Sequence, residues 1–450
     1  MNYEDYEGNL CGYLPVFEES TINFSKFLLD FTEMIERTSK VLNGHLHRVA
    51  FIAWHVGEAL GLGEGLLKRL AVASLLHDVG LLFVIRINYL KDLWNLDRDA
   101  LIDHGELSRW VIDEMDFLED NAEIAEIVRY HHVTYHPSVE NNVPFESMVL
   151  MGADHLEIAI RRYEYPWLHK DEIISQLRKS GINPEVLSAL EGLVKDSPLA
   201  FWYSMLVSSR AVREFLEERL GSIPIKSSQE NLLKISGMIG HVVDFRSPVT
   251  STHSTRVAAL AEAIAEKMDL CIRKRFLLRL AGLLHDVGKM MVPIEILEKP
   301  ARLDPEEYAL IQTHVYYTYR FLKHVGMPVE LIEAASYHHE RLDGSGYPFG
   351  VTSDCLYTGA KIMQIADVFA ALSEKRPYKE RWDKELVISV LEEEVKAGRL
   401  CSKVYSHIKP NFDELYQVAE EAALSAKVKF ESFLENVAMG KEKLTEVMGI

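Results

Sequence analysis

A histidine and an aspartate, His285 and Asp286, stand side by side directly after an apolar run at positions 276–284. The run predicts a buried helix, so the polar residues at its end are expected to face the interior. A buried carboxylate is costly unless it is paired or bound to a metal. A core histidine hydrogen-bonded to its neighbour would explain this pair equally well. The dipeptide alone therefore does not separate a metal ligand from an ordinary core residue.

Several polar landmarks occur twice in the chain, in one order and at a nearly constant separation. His45 and His253 are 208 positions apart, as are the His-Asp pairs that begin at His77 and His285. A Tyr-His-His triplet and an Ala-Asp pair recur at separations of 207 and 213. This ordered recurrence indicates an internal duplication. The metal-ligand types that it aligns in the first unit are His45, His77, Asp78, His104, His131, His132 and Asp154.

The matching residues of the second unit are expected to point inward from separate helices. Apolar residues follow His253 at i+4, i+7 and i+11, which places His253 on the apolar face of its helix. Five histidines and two aspartates turned inward are costly unless a pair of divalent cations binds them through neutral imidazoles and shared carboxylates. We therefore predict a binuclear metal centre formed by His253, His285, Asp286, His314, His338, His339 and Asp367.

The donor set indicates which cations this centre would take. The four cysteines are far apart and form no CxxC pair, so nitrogen and oxygen atoms must supply the ligands. Such ligands suit iron or manganese, with nickel or zinc as alternatives. Two cations about 3.5–4 Å apart would clamp a phosphate for in-line attack. Lys289, one turn beyond Asp286, would then stabilise the developing charge, although an ordinary exposed lysine at a helix end is the simpler explanation for that residue alone.

Composition limits the class of protein. The chain has 450 residues, of which 48% are hydrophobic and 26% charged, and this length predicts two or three globular domains. The net charge of −19 argues against a nucleic-acid polymer as partner. We expect no membrane span, because no apolar run approaches the roughly 20 residues that one needs. The N-terminus lacks a signal pattern, so we expect a cytoplasmic protein.

Helical periodicity dominates the sequence and strand-like alternation is scarce, so we predict an all-α protein. The predicted organisation is an N-terminal arm at 1–20, a first helical unit at 21–204, a helical linker at 205–225, a second helical unit at 226–420 and a C-terminal helix at 421–450. This last helix would pack on the second unit or on a partner chain, which leaves a homodimer open.

The second unit resembles the HD-GYP domain, the cyclic-dinucleotide phosphodiesterase branch of the HD superfamily. The resemblance rests on His253 with Arg256, on the segment 285–289 (HDVGK), on His314, and on the segments 338–348 (HHERLDGSGYP) and 365–372 (IADVFAAL), and it covers roughly positions 230–415. The first unit resembles an HD domain without the GYP loop. The whole chain is thus similar to proteins in which two HD-type helical bundles follow one another.

The resemblance implies roles for the matching residues. Asp286 would bridge two cations and, with Lys289, would be catalytic; Lys289 and Arg341 would contact the scissile phosphate or its neighbour. A loop over the site would bind the substrate or a protein partner. Some members add a glutamate four residues before the first histidine; Val249 stands there, so we expect two cations rather than three. The implied ligands of one cation are His253, His285, Asp286 and Asp367, those of the other are Asp286, His314, His338 and His339, and the loop comprises Asp343, Gly344, Gly346, Tyr347 and Pro348.

The implied reaction opens cyclic di-GMP to linear pGpG, with further cleavage to GMP left open. The chief alternative substrate is 3′,3′-cyclic GMP-AMP. Two other functions also remain: an HD phosphohydrolase acting on other nucleotides, and a non-catalytic adaptor that binds a cyclic dinucleotide or a protein. The first unit lacks the lysine and the loop, since Leu81 stands where the second unit has Lys289. We expect the first unit to be degenerate, with a supporting or regulatory role, and leave metal binding there open.

Overall fold

The computed structural model describes residues 21–38, 42–84, 98–137, 142–207, 209–226, 228–246, 252–297, 299, 301–374 and 383–448. The predicted N-terminal arm and Val249 lie outside these residues. The chain divides into two compact units, whose main parts are Asn23–Ile225 and Lys226–Ser432. Each unit is a bundle of α-helices, and the prediction of an all-α protein is confirmed.

The first unit begins and ends with short strands, β1 (Thr21–Asn23) and β2 (Pro224–Lys226), which pair with each other. Its last helix packs through Val212, Leu216 and Leu220, all buried. Its α-helices are α1 (Phe24–Arg37), α2 (His45–Ala59), α3 (Glu64–Leu76), α4 (Leu81–Val84), α5 (Arg98–Asp113), α6 (Asn121–Arg129), α7 (Phe145–Ile160), α8 (Lys170–Leu177), α9 (Pro184–Asp196), α10 (Leu199–Val207) and α11 (Ser209–Leu220).

The second unit repeats this helical plan around its own core, in which the rings of Phe369 and Phe412 stack with centroids 4.7 Å apart. A short 3₁₀ helix, Val287–Met291, begins after His285 and Asp286, the two residues that follow α14. The α-helices are α12 (Gln229–Arg246), α13 (His253–Lys267), α14 (Ile272–Leu284), α15 (Ile294–Leu297), α16 (Pro305–His324), α17 (Val329–Ser336), α18 (Thr358–Ser373), α19 (Lys384–Lys396), α20 (Ser402–Ile408) and α21 (Phe412–Met448).

Local sequence signals fix the helix that carries His314. Asp304 caps α16 by accepting hydrogen bonds from the backbone N–H groups of Glu306 and Glu307. The Glu307 carboxylate accepts the Asp304 N–H in return, which completes a capping box, and Pro305 is preset for the first helical position. The register of α16 and hence the direction of its histidine are set by these contacts.

Two glycines allow the ligand-bearing segments to approach each other. A Cβ at Gly282 would overlap the backbone of Ala258, so α14 and α13 pack at close range only because this residue is glycine. A Cβ at Gly288 would overlap the carbonyl oxygen of His314. The turn after α14 therefore lies directly against α16.

None of the helices in the described part of the chain combines the length and the apolar character that a membrane span requires.

Candidate metal centres

Asp286 lies where four histidines of the second unit converge. Its Oδ2 atom is 3.2 Å from His285 Nε2 and 4.0 Å from His253 Nε2. Its Oδ1 atom is 3.3 Å from His314 Nε2 and 4.0 Å from His338 Nε2. The carboxylate is 3% exposed, so these imidazoles rather than water surround it.

Asp367, on α18, supplies a second carboxylate beside the first. Its Oδ1 atom is 3.1 Å from His253 Nε2 and 3.9 Å from His285 Nε2. Its Oδ2 atom is 3.8 Å from His339 Nδ1. The structure thus brings all seven predicted ligand residues of the second unit into one cluster, in which only the side chain of His339 is substantially exposed.

Backbone carbonyls orient three of the imidazoles. His285, His314 and His338 each direct Nδ1 at the carbonyl oxygen three residues earlier, at 2.8, 2.6 and 2.7 Å. An Nδ1–H that donates to a carbonyl leaves Nε2 as the unprotonated nitrogen, which is the arrangement that metal-binding histidines need. All three Nε2 atoms consequently face the two carboxylates.

The pKa values of two histidines and one aspartate of the cluster fit divalent cations. Burial alone would lower the pKa of His285, but the charge of Asp286 raises it. Burial and the charges of His339 and His285 hold the pKa of His338 well below its usual value, and burial lowers that of His339 to about 3. Burial alone would raise the pKa of Asp286, but the charges of His285 and Lys289 hold it well below the ordinary range. Neutral imidazoles and ionised carboxylates are the forms that bind metal.

Unused donor atoms complete the fit. Within the part of the chain that the structure describes, the buried Nε2 atom of His285 has no hydrogen-bond partner. Three overlapping sets of residues each have their ligand atoms within 4.8 Å of one another, a spacing that could hold one metal ion. The sets are His253, His285 and Asp367; His285, Asp286 and His338; and His314, His338 and His339. The residues present therefore suit a centre of more than one cation.

The two predicted phosphate contacts occupy different positions. Lys289 lies in the 3₁₀ helix after Asp286, and its ammonium group forms an ion pair with Asp286 Oδ2. Arg341 donates from Nη1 to the carbonyl oxygen of Glu340 at 3.1 Å and is half-buried. Of these two residues, Lys289 is the one for which the described part of the chain shows an ion pair with the metal-ligand cluster.

The loop that follows the two histidines is built on Glu340, which is fully buried. Its carboxylate accepts the backbone N–H groups of Phe349 at 2.7 Å and Val351 at 3.1 Å. The loop returns over the cluster, where the Tyr347 ring lies 4.9 Å from that of His339. The Tyr347–Pro348 peptide bond is cis. The same loop contains the four remaining predicted loop residues, which are Asp343, Gly344, Gly346 and Pro348.

The first unit contains an equally complete cluster around Asp78. Its Oδ2 atom is 3.3 Å from His45 Nε2 and 3.4 Å from His77 Nε2, and its Oδ1 atom is 3.2 Å from His104 Nε2 and 3.9 Å from His131 Nε2. Asp154 Oδ1 lies 3.4 Å from His45 Nε2, and His132 Nε2 lies 2.8 Å from His104 Nε2. All seven residues aligned by the repeat are thus together.

A buried glutamate distinguishes the first cluster from the second. Glu157, 1% exposed, accepts hydrogen bonds from His45 Nδ1 at 2.7 Å, Arg48 Nε at 2.7 Å and Arg161 Nε at 2.6 Å. Leu81, which stands where the second unit has Lys289, is fully buried, so the first cluster has no positively charged side chain at that position. Glu157 was not among the predicted residues, although its place one turn after Asp154 in the sequence was a usable signal.

Each of the two units matches a known protein family. Family models described as HD domain match residues 43–159 and 238–400. The chain is 29% identical over 391 residues to the 3′3′-cGAMP-specific phosphodiesterase 1 of Vibrio cholerae serotype O1, covering 83% of this chain and 88% of that protein. It is 28% identical over 258 residues to the cyclic di-GMP phosphodiesterase response regulator RpfG of Xanthomonas campestris pv. campestris, covering 53% of this chain and 68% of that protein.

A solved structure shares the fold. The crystal structure of a cyclic GMP-AMP-specific phosphodiesterase of V. cholerae superposes with a TM-score of 0.59 at 22% identity, over 88% of this chain and 98% of that one. The chain belongs to the HD-domain family and carries two HD domains in tandem, as predicted. The second of these contains the GYP loop.

Proposed function

We propose that this protein is a metal-dependent phosphodiesterase that opens a 3′,3′-cyclic dinucleotide at the cluster of the second unit. The observation that carries the proposal is the surroundings of Asp286: four imidazoles within 4.0 Å and an ion pair with Lys289. A cluster of buried histidines and ionised aspartates next to a lysine suits charge stabilisation on a phosphate.

Two divalent cations, iron or manganese, would be held by the seven residues of the second cluster, which include the central carboxylate of Asp286. Bound cations would polarise the phosphate oxygens. They would also lower the pKa of a bound water molecule, so that hydroxide is available at neutral pH. Burial keeps the imidazoles of His338 and His339 neutral. Neighbouring charges and hydrogen bonds keep the carboxylates of Asp286 and Asp367 ionised. The first cluster has the same set of ligand types, and we extend the proposal of metal binding, but not of catalysis, to it.

Lys289 would bind the phosphate during the reaction. Its ammonium group contacts the Asp286 carboxylate and its side chain is 25% exposed, so it borders both the cluster and solvent. A fixed cation at this point would stabilise the negative charge that develops on the phosphate oxygens. The Tyr347 ring lies beside His339, the most exposed ligand, and would contact the substrate where it enters the site.

Relatives support two substrates. Two relatives that each cover 83% of the chain are named for 3′3′-cGAMP. Others are named for cyclic di-GMP, including a protein of Thermotoga maritima that is 33% identical over 190 residues. The match to the Thermotoga protein covers 42% of this chain and 51% of the Thermotoga protein. We propose both cyclic dinucleotides as candidate substrates, with a linear dinucleotide that carries a 5′-phosphate as the first product.

The proposal is tested by anaerobic purification, loading with Mn(II) or Fe(II), and parallel assays of both cyclic dinucleotides. The wild type should release a linear dinucleotide, and Asp286→Ala should abolish turnover because the central carboxylate is lost. Asp78→Ala is the matched variant in the first unit and should retain turnover. A metal-loaded wild type that binds both compounds but cleaves neither would favour the adaptor, and cleavage of other nucleotides alone would favour another phosphohydrolase.

A further inference from the structure

In each unit, two carboxylates that belong to one helix or directly follow it lie beside the two nitrogens of the first histidine. In the first unit, Asp154 lies 3.4 Å from His45 Nε2 and Glu157 lies 2.7 Å from His45 Nδ1. Both acids belong to α7. The imidazole is thus held between an acid that faces the metal-ligand cluster and an acid behind it.

The second unit cannot use the same position. The repeat that pairs Asp154 with Asp367 pairs Glu157 with Ala370, which has no carboxylate. The position that matches Arg161, one turn further along, is Glu374. Glu374 directly follows the last residue of α18 and is 5% exposed. An acid is therefore present near the same place, but from a different position in the repeat.

Glu374 lies behind His253 as Glu157 lies behind His45. Its Oε2 atom is 3.7 Å from His253 Nδ1, while Asp367 Oδ1 is 3.1 Å from His253 Nε2. Its Oε1 atom accepts a hydrogen bond of 3.2 Å from the hydroxyl of Thr252, the residue before α13. The Nδ1 atom of His253 is buried and has no hydrogen-bond partner among the described residues.

We infer that Glu374 is a positioning residue of the second cluster: when metal is bound, its carboxylate closes the present gap of 3.7 Å, accepts the Nδ1–H of His253 and so directs Nε2 of that histidine at the cation. The reason is the chemistry of the imidazole. A histidine that binds metal through Nε2 carries its proton on Nδ1, and a buried N–H needs an acceptor. Among the described residues, no backbone carbonyl serves His253 as one serves His285, His314 and His338, and the side chain of Glu374 is the acceptor that lies beside its Nδ1 atom. The inference rests on the proposed metal centre.

The test measures Mn(II) affinity in the full-length protein. An Asp78→Ala background removes the central ligand of the first cluster, so that calorimetric titration of metal-stripped protein reports on the second. Glu374→Ala should weaken Mn(II) binding by about 10–100-fold, the usual effect of removing such a partner. Glu374→Gln keeps an acceptor oxygen without its charge and should lose less. Glu385→Gln, on an exposed part of α19, is the control and should bind as the background does.

A structural role alone predicts a different pattern. It would lower the thermal unfolding midpoint of the metal-stripped Glu374 variants and leave the affinity of folded Glu374→Gln unchanged. Unchanged Mn(II) affinity in Glu374→Gln and in any folded Glu374→Ala would overturn the inference. If the Glu374 variants bind Mn(II) more weakly but the wild type hydrolyses neither cyclic dinucleotide, the inference stands and the proposed function is rejected. Failure of the inference can thus be distinguished from failure of the proposed function.

Discussion

The backbone N–H of Gly288 donates a hydrogen bond of 3.0 Å to the hydroxyl oxygen of Thr318, one helical turn beyond His314. The same hydroxyl donates to the carbonyl oxygen of His285 at 2.9 Å. The turn that carries Asp286 is thereby fixed to the helix that carries His314. In the first unit, Gly80 N–H donates to Ser108 Oγ at 2.8 Å, so each cluster is assembled by the same contact.

This contact predicts that Gly288→Ala disrupts the second cluster. The added Cβ would overlap the carbonyl oxygen of His314, and because both groups belong to the backbone, the turn must move away from α16. We expect a loss of about 1–3 kcal/mol in the free energy of unfolding, as is usual for overpacking, and a loss of bound metal. Chemical denaturation and metal analysis measure the two effects.

Gly237→Ala is the matched control for that substitution. Gly237 lies within α12, and a Cβ there would meet no atom within 4 Å. Alanine should stabilise the helix by up to about 1 kcal/mol. Equal effects of the two substitutions would contradict the proposed packing of the turn on α16.

Lys289→Leu should separate catalysis from metal binding. The substitution gives the second unit the residue type that the first unit has at Leu81. Loss of a fixed cation beside the phosphate should lower kcat about 100-fold or more, by analogy with the removal of one oxyanion donor. Mass-spectrometric metal analysis should find the wild-type metal content, because the lysine is not a ligand. Full activity in Lys289→Leu would remove this residue from the reaction.

Glu157→Gln should destabilise the first unit in a pH-dependent manner. Burial alone would raise the pKa of this acid, but His45, Arg48 and Arg161 lower it from 4.5 to about 2. A lowered pKa in the folded state contributes stability above pH 4.5, and this contribution is lost as the pH falls toward 2. The wild type should therefore exceed the variant by roughly 3 kcal/mol at pH 7, and the gap should close in acid.

Denaturant titration of metal-stripped protein at several pH values measures this gap. Glu218→Gln, an exposed acid on α11, should unfold like the wild type at every pH. A gap between wild type and Glu157→Gln that is constant from pH 7 to pH 3 would show that the charge of Glu157 does not carry the effect.

Glu340→Ala should loosen the loop without emptying the metal site. The backbone N–H groups of Phe349 and Val351 would lose their acceptor, and a hydrogen bond to a charged group contributes about 1.5–3 kcal/mol. Tyr347 would lose its fixed place beside His339, so KM should rise more than kcat falls, with metal content unchanged. A rise in KM in Glu340→Gln close to that in Glu340→Ala would assign the effect to the charge of the acid.

The ligand set was predictable because it leaves two signals in the sequence: polar residues on apolar helical faces, and their recurrence at nearly constant separation. The all-α fold was predictable for the same reason, since helical periodicity extends over most of the chain. What the sequence did not reveal are the contacts that aim the ligands. Glu157 and Glu374 occupy different positions of the repeat, so aligning the two units conceals that each lies behind the first histidine.

Gly288 shows the same limit. Its motif was visible, but the need for glycine follows from the closeness of the His314 carbonyl, 26 positions away, which only the packing of α16 determines. The loop likewise depends on Glu340, whose burial and two backbone contacts have no periodic signature in the sequence.

The proposed metal centre requires that Asp286 and its neighbours hold two cations. Anomalous diffraction from Mn(II)-loaded crystals would locate these cations. We expect two anomalous peaks in the second unit, on either side of Asp286, each within roughly 2.0–2.3 Å of its nitrogen and oxygen ligands. Crystals that contain Mn(II) at other positions but show no peak beside Asp286 would show that the proposed centre does not exist.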